Sequence, residues 1–144
     1  MKSKDVLIKI KGTHIIDDDK DTTEITTIGN FYKKQNLYYI SYQESEATGF
    51  KDTKTTMEIS KDSVTLTRKG TVNSQLIIEN GIRHQCCYDT GYGDIVMGIS
   101  GESMDSSLTD EGGELSFRYA LDVNSALASI NIVEIQVAAD CGGL

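Results

Sequence analysis

Apolar and polar residues alternate along most of this chain, and the period is two. In DVLIKIKGTHII (5–16), Val6, Ile8 and Ile10 share one face while Lys9 and Lys11 occupy the other. A strand with one face on a core and one in water has this pattern. The same rhythm predicts strands at TTEITTIGNFYKK (22–34), LYYISYQES (37–45), TKTTMEIS (53–60), DSVTLTRKG (62–70) and SQLIIE (74–79). It continues at IRHQCCYDT (82–90), IVMGISGESM (95–104), ELSFRYALDV (114–123) and LASINIVEIQV (127–137). Threonine, isoleucine, valine and tyrosine dominate these runs and suit a pleated surface. No window of twelve or more residues carries a helical period.

The links are short. DDDKD (17–21) reads as a charged turn, KQN (34–36) as a tight reversal, and Lys61-Asp62 as a two-residue hairpin link. Asn80-Gly81 is the strongest hairpin signal, because both residues tolerate the positive φ of a type I′ turn. Gly98 and Gly101 predict a bulge or sharp bend. The apolar phase of the last strand shifts near Ile132-Val133, which predicts a second bulge. Sequential antiparallel strands with hairpin links form a meander. A flat sheet of about ten strands would leave two open edges, so closure into a barrel is the better solution. The expected fold is all-β: one domain over residues 1–144, an antiparallel up-and-down meander barrel of about eight to ten strands. A Greek-key sandwich is the alternative, but it needs longer crossovers than most links here provide.

Composition narrows the function classes. The chain has 144 residues and a formal net charge of −8, which argues against nucleic-acid or anionic-membrane partners. No apolar stretch is long enough to span a bilayer as a helix, and Lys9 and Lys11 interrupt any signal-peptide core, so the expected location is the cytoplasm. The three cysteines, Cys86, Cys87 and Cys141, are odd in number and make no disulfide framework. Proline is absent, which fits long uninterrupted strands.

The runs IGNFYKKQNLYYISYQES and TKTTMEISKDSVTLTRKG, then CYDTGYGDIVMGI, GGELSFRYALDV and INIVEIQV, occur in an order that resembles the YwiB-like family. These are small bacterial calycin-like β-barrels of unknown function. The matching features are Gly29 followed by aromatics, Tyr42-x-Glu44, Arg68-x-Gly70, Tyr88-x-Thr90-x-x-Gly93, and the alternating Leu115, Phe117, Tyr119 and Leu121. The resemblance implies a lipocalin-type barrel. It supplies no catalytic residue and no ligand. The vicinal Cys86-Cys87 and the CGGL tail depart from many such relatives.

Motifs that suggest chemistry fail on their details. Asp17, Asp19 and Asp21 occupy positions 1, 3 and 5 of a calcium loop, but Thr22 and Ile28 stand where its glycine and bidentate glutamate belong. GYGDIV has Val96 in place of the third glycine of a phosphate fingerprint. GISGE ends in Glu102 rather than the glycine of a nucleophile elbow, so Ser100 reads as structural. His84 and Cys86 share a strand face but stand about 6–7 Å apart, too far for direct proton transfer. Cys86 and Cys87 point to opposite faces and do not converge on one ion. No motif implies a cofactor or a metal, and the expectation is a protein that is not an enzyme.

One residue breaks the apolar rhythm. Val64 and Leu66 share a face, and Arg68 continues it. An unpartnered buried guanidinium is too costly to tolerate. Arg68 could snorkel at the end of the strand. It could pair with Glu44, which extends the Tyr38, Ile40 and Tyr42 face in the same way. It could instead receive the carboxylate of a small molecule. Small barrels enclose such ligands in apolar pockets with few polar groups. The expected function is non-catalytic binding of a small, partly apolar and, through Arg68, anionic ligand. The expected site residues are Tyr38, Tyr42, Arg68, Tyr88, Phe117 and Tyr119. The alternative is an interaction or assembly module with a filled barrel and no small-molecule ligand. The sequence leaves the oligomeric state open.

Overall fold

The computed structural model describes residues 4–44, 52–70, 73–89 and 94–139. Ten strands follow the alternating runs. They are β1 (Lys4–Ile16), β2 (Asp19–Lys34), β3 (Leu37–Gln43), β4 (Thr53–Ile59) and β5 (Ser63–Gly70). The second half supplies β6 (Ser74–Glu79), β7 (Arg83–Asp89), β8 (Asp94–Ser106), β9 (Gly113–Val123) and β10 (Ala126–Ala139). The hydrogen-bonded order is β6-β5-β4-β3-β2-β1-β10-β9-β8-β7. Every ladder joins sequence neighbours except β1–β10, which brings the two ends of the chain together over the register Val6–Ala139 to Ile15–Ile130. The meander is therefore a nearly closed barrel, with its seam between β6 and β7.

That seam corrects one expectation. Of Asn80-Gly81, only Gly81 takes a positive φ, 81°, so the turn is not type I′. Without the twist of a primed turn the two strands splay. They share the Glu79–Ile82 bridge. Gly101 of β8 fills the corner, where Gly81 N–H donates to its carbonyl at 3.0 Å. A Cβ on Gly101 would lie 2.3 Å from the Glu79 carbonyl oxygen, so only glycine allows this approach. The paired positive φ values occur instead at Gln35 (53°) and Asn36 (69°), and at Asn124 (51°) and Ser125 (72°).

Two further expectations change. The DDDKD turn shrinks to Asp17-Asp18, and Asp19 and Asp21 lie in β2 opposite Ile16 and His14. The bulge of β10 lies between Leu127 and Ser129, and the register is unbroken at Ile132-Val133. The apolar phase shift there has another cause. Val133, Ile135 and Val137 continue the core face, while Asn131 takes the next inward position and Ile130 and Ile132 fall on the other face. The bulge expected near Gly98 and Gly101 is present as a register shift between Gly101 and Ser103.

Inward side chains form continuous rows across the strands. One row runs Val6, Gly29, Tyr42, Thr55, Arg68 and Ser74; the next runs Phe31, Ile40, Met57, Leu66 and Leu76. Phe31, Ile8, Ile40, Met57, Ile99, Leu115, Phe117 and Ile135 are each at most 2% exposed. Burying side chains of this size stabilises the fold by about 1.5–3 kcal/mol each before chain entropy is counted.

Candidate functional site

Arg68 sits inside the barrel wall, in the row of Tyr42 and Thr55. Its Nε lies 3.7 Å from Glu44 Oε2, and the two side chains are 20% and 2% exposed. The sequence offered solvent, Glu44 or a ligand as partners for this guanidinium, and the Glu44 pair is the arrangement present. Glu44 is held by two further contacts. Its backbone N–H donates to Thr53 O at 2.8 Å, and Thr55 Oγ1 donates to its carboxylate. Thr53 and Thr55 are both fully buried. β3 and β4 position this cluster because Tyr42 pairs with Thr55 in register.

Two tyrosines complete it. Burial, with the Glu44 carboxylate next, pushes the Tyr42 phenol well above its usual range, while the Arg68 guanidinium pulls the other way. Burial also raises the Tyr119 phenol, and Arg68 opposes that shift too. Arg68 therefore sits within electrostatic reach of both hydroxyls. Phe117 lies beneath, 2% exposed, with its ring 6.2 Å from Tyr119. Ile10, Ile25, Leu76, Leu121 and Val133 are among the partly buried side chains packed against the main core cluster. The cluster around Arg68 holds one cation, one carboxylate and two phenols.

The structure thus brings Tyr42, Arg68, Phe117 and Tyr119 to one place. Tyr38 lies elsewhere, at the end of β3 that opens from the Gln35-Asn36 turn. It stacks on Phe31 at 5.5 Å, carries Lys33 over its ring, and its hydroxyl donates to Asp110 at 3.4 Å. Tyr88 lies in β7 opposite Ile95; its side chain, like those of Cys86 and Cys87, lies outside the described residues. Sequence reasoning missed Thr53 as a member of the cluster. The available signal was parity: Thr53 and Thr55 precede Met57 and Ile59 on the same face, so both threonines had to be inward.

Two of the cavities lined by described residues open on the outside of the barrel. The larger, about 740 Å³, crosses β2, β1, β10, β9 and β8 and includes Lys9, Lys11, Glu24, Glu134 and Gln136. Its charges compensate in register, because Lys11 stands between Glu24 and Glu134. The smaller, about 430 Å³, lies on β3 to β6 and includes Tyr39, Lys54, Thr56, Glu58 and Lys69. No group of three His, Cys, Asp or Glu side chains suited to a metal occurs among the described residues.

Comparison with known proteins fits this architecture. The sequence profile of a domain of unknown function, DUF1934, matches residues 8–135. The chain belongs to this family. It is 31% identical over 111 residues to the uncharacterized beta-barrel protein YwiB of Bacillus subtilis strain 168, covering 76% of this chain and 77% of that one. The fold is similar to the crystal structure of the ywiB protein from Bacillus subtilis, with a TM-score of 0.72, 21% identity, and coverage of 93% of this chain and 92% of that chain. The YwiB-like family resemblance drawn from the ordered motifs is therefore shown, together with the all-β barrel.

Proposed function

We propose that this DUF1934 protein is a non-catalytic binder of a small, partly apolar molecule bearing a carboxylate. The observation that carries the reading is the largely buried Arg68–Glu44 pair grouped with Tyr42 and Tyr119. A guanidinium held by one carboxylate can exchange it for another, and its planar fork suits that geometry. Glu44 then acts as a stand-in for the ligand, and the two phenols supply donors to the incoming oxygens. Phe117, beside Tyr119, offers an apolar surface to the body of the ligand.

Both histidines have side-chain partners. His14 Nδ1 lies 2.7 Å from Asn131 Oδ1, and His84 Nε2 lies 2.9 Å from Glu79 Oε1. Nucleophilic catalysis would need one of them beside a serine or cysteine. The charged outer face, including Lys9, Lys11, Glu24 and Glu134, is the inverse of a lipid-facing band. It argues against a barrel that spans a membrane and is compatible with the cytoplasmic location we propose. No helix among the described residues is long and apolar enough to cross a membrane.

Native mass spectrometry of protein purified from its own cells tests the reading. The expected result is a co-purified small molecule that is lost from the Arg68→Gln protein. A bare protein mass, or an adduct indifferent to Arg68→Gln, would overturn it. A second reading, an interaction module with a filled barrel, is favoured by the position of these two cavities on the outer face. In that case the same spectra would show a protein partner and no small molecule.

A further inference from the structure

Lys54 and Lys69 stand directly opposite each other in the β4–β5 register, both on the exposed outer face. Like charges at directly opposed positions of an antiparallel pair destabilise the sheet. Their side-chain origins lie about 4.5–5.5 Å apart. Among the described residues neither lysine has an ion-pair partner. This contrasts with the larger outer groove, where Glu24 and Glu134 flank Lys11. It occurs on a chain of net charge −8, which has carboxylates to spare. A local conflict of this kind, uncompensated among the described residues, is where a functional site is expected.

The surroundings define what the cations would hold. Both lysines line the concavity of about 430 Å³ together with Thr56 and Thr67. Those two threonines pair in register one step further along the same face, about 7 Å from the lysine row. Gln75 Nε2 donates to Thr67 Oγ1 at 3.4 Å. Another step along, Tyr39 donates its hydroxyl to Glu58 Oε1 at 2.8 Å, and its ring stacks on Tyr32 at 4.8 Å. The groove thus passes from two ammonium groups, through hydroxyls and an amide, to a carboxylate fixed by a phenol. Apart from the Tyr39 ring, its lining side chains all carry polar or charged groups. Two compact cations suit a doubly charged phosphate. The hydroxyls and Glu58 suit a body rich in hydroxyl groups.

We propose that this outer groove binds a phosphorylated sugar or polyol, with its phosphate between Lys54 and Lys69 and its hydroxyls along Thr56, Thr67 and Glu58. The site is separate from the Arg68 cluster inside the barrel and goes beyond the function proposed above.

The test uses the full chain with inorganic phosphate and glucose 6-phosphate, read by calorimetry and by thermal unfolding, with sodium chloride at matched ionic strength as the control. Both phosphates are expected to raise the melting temperature, glucose 6-phosphate at lower concentration, since a ligand that binds only the folded state stabilises it. The double variant Lys54→Gln/Lys69→Gln should lose affinity by about tenfold or more. Without ligand it should melt no lower than the wild type, because it removes a repulsion rather than a contact. Lys11→Gln, in the other outer groove, should bind both phosphates unchanged, while the inner site is read separately by native mass spectrometry, so the two sites fail independently. Equal protection by sodium chloride, or phosphate affinity that survives the double variant, would overturn the proposal. Equal affinity for the two phosphates would overturn the hydroxyl-rich body of the ligand.

Discussion

Arg83 grips both carboxylate oxygens of Asp122 across an intervening strand. Its Nε donates to Oδ2 at 2.9 Å and its Nη2 to Oδ1 at 2.7 Å. Arg83 belongs to β7 and Asp122 to β9, and Gly98 of β8 lies beneath the guanidinium. A Cβ there would come within 2.3 Å of Arg83 Nη2. The absent side chain lets the fork lie flat against the sheet. This contact staples β7, the strand beside the seam, to its second neighbour.

The staple has an acid limit. The Arg83 hydrogen bonds hold the Asp122 carboxyl below its ordinary value of 3.8. A depressed folded-state pKa contributes stability above the unfolded value, and that stability is lost as pH falls through the folded value. Asp122→Asn should therefore melt at a lower temperature than wild type near neutral pH. The difference should shrink below about pH 4. Thermal unfolding at several pH values measures it, and a difference that does not depend on pH would contradict the assignment. Gly98→Ala should mimic the loss by displacing the guanidinium.

Gly29 and Gly12 should respond in opposite ways to alanine. A Cβ at Gly29 would lie 2.2 Å from Ser41 O and 2.7 Å from Ile8 Cδ1, whereas a Cβ at Gly12 would meet nothing within 4 Å. The Ser41 oxygen is backbone and cannot give without disturbing the β2–β3 ladder. Gly29→Ala should cost about 3 kcal/mol, in the upper part of the overpacking range. Gly12→Ala should gain about 0.5 kcal/mol from reduced freedom of the unfolded chain. Denaturant unfolding of the two variants decides it.

The Arg68–Glu44 pair should behave as a unit. Removing one partner strands a charge in a largely buried place, so Arg68→Leu should cost about 3–5 kcal/mol. Replacing both with leucine should cost much less, because no lone charge remains. A double-mutant cycle gives the coupling. Additive losses would mean that the two side chains do not depend on each other.

Tyr42 and Tyr119 should keep their protons in alkali. Burial raises both phenols, so they stay neutral at pH values where ordinary tyrosines ionise. A raised folded-state pKa contributes stability that is complete below the unfolded value of 10.0 and is lost as pH rises toward the folded value. Ultraviolet titration should show late tyrosinates from Tyr42 and Tyr119, joined by Tyr39, whose hydrogen bond to Glu58 also raises it, and a fall in stability above about pH 10. Replacing Tyr42 with Phe should remove one late step.

Much of the barrel was legible because a strand's side-chain period is two and one face is buried. Val6, Ile8 and Ile10 marked the first inward face, and Tyr38, Ile40 and Tyr42 marked the third. The anomaly of Arg68 was legible for the same reason. It stood on a face that Val64 and Leu66 had already assigned to the interior, and Glu44 stood at the matching end of its own stripe.

What the sequence determined by itself was which residues share a face, because that depends only on spacing along one strand. It determined neither the heights at which strands align nor the seam. Tyr38 and Tyr42 lie on one face, yet Tyr42 joins Arg68 while Tyr38 joins Asp110, since register across strands sets the level of each side chain. The β6–β7 gap follows from Gly81 alone taking a positive φ and from Gly101 filling the corner. Lys54 met Lys69 only when β4 paired with β5. Contacts between strands depend on long-range pairing, and only the closed sheet fixes that.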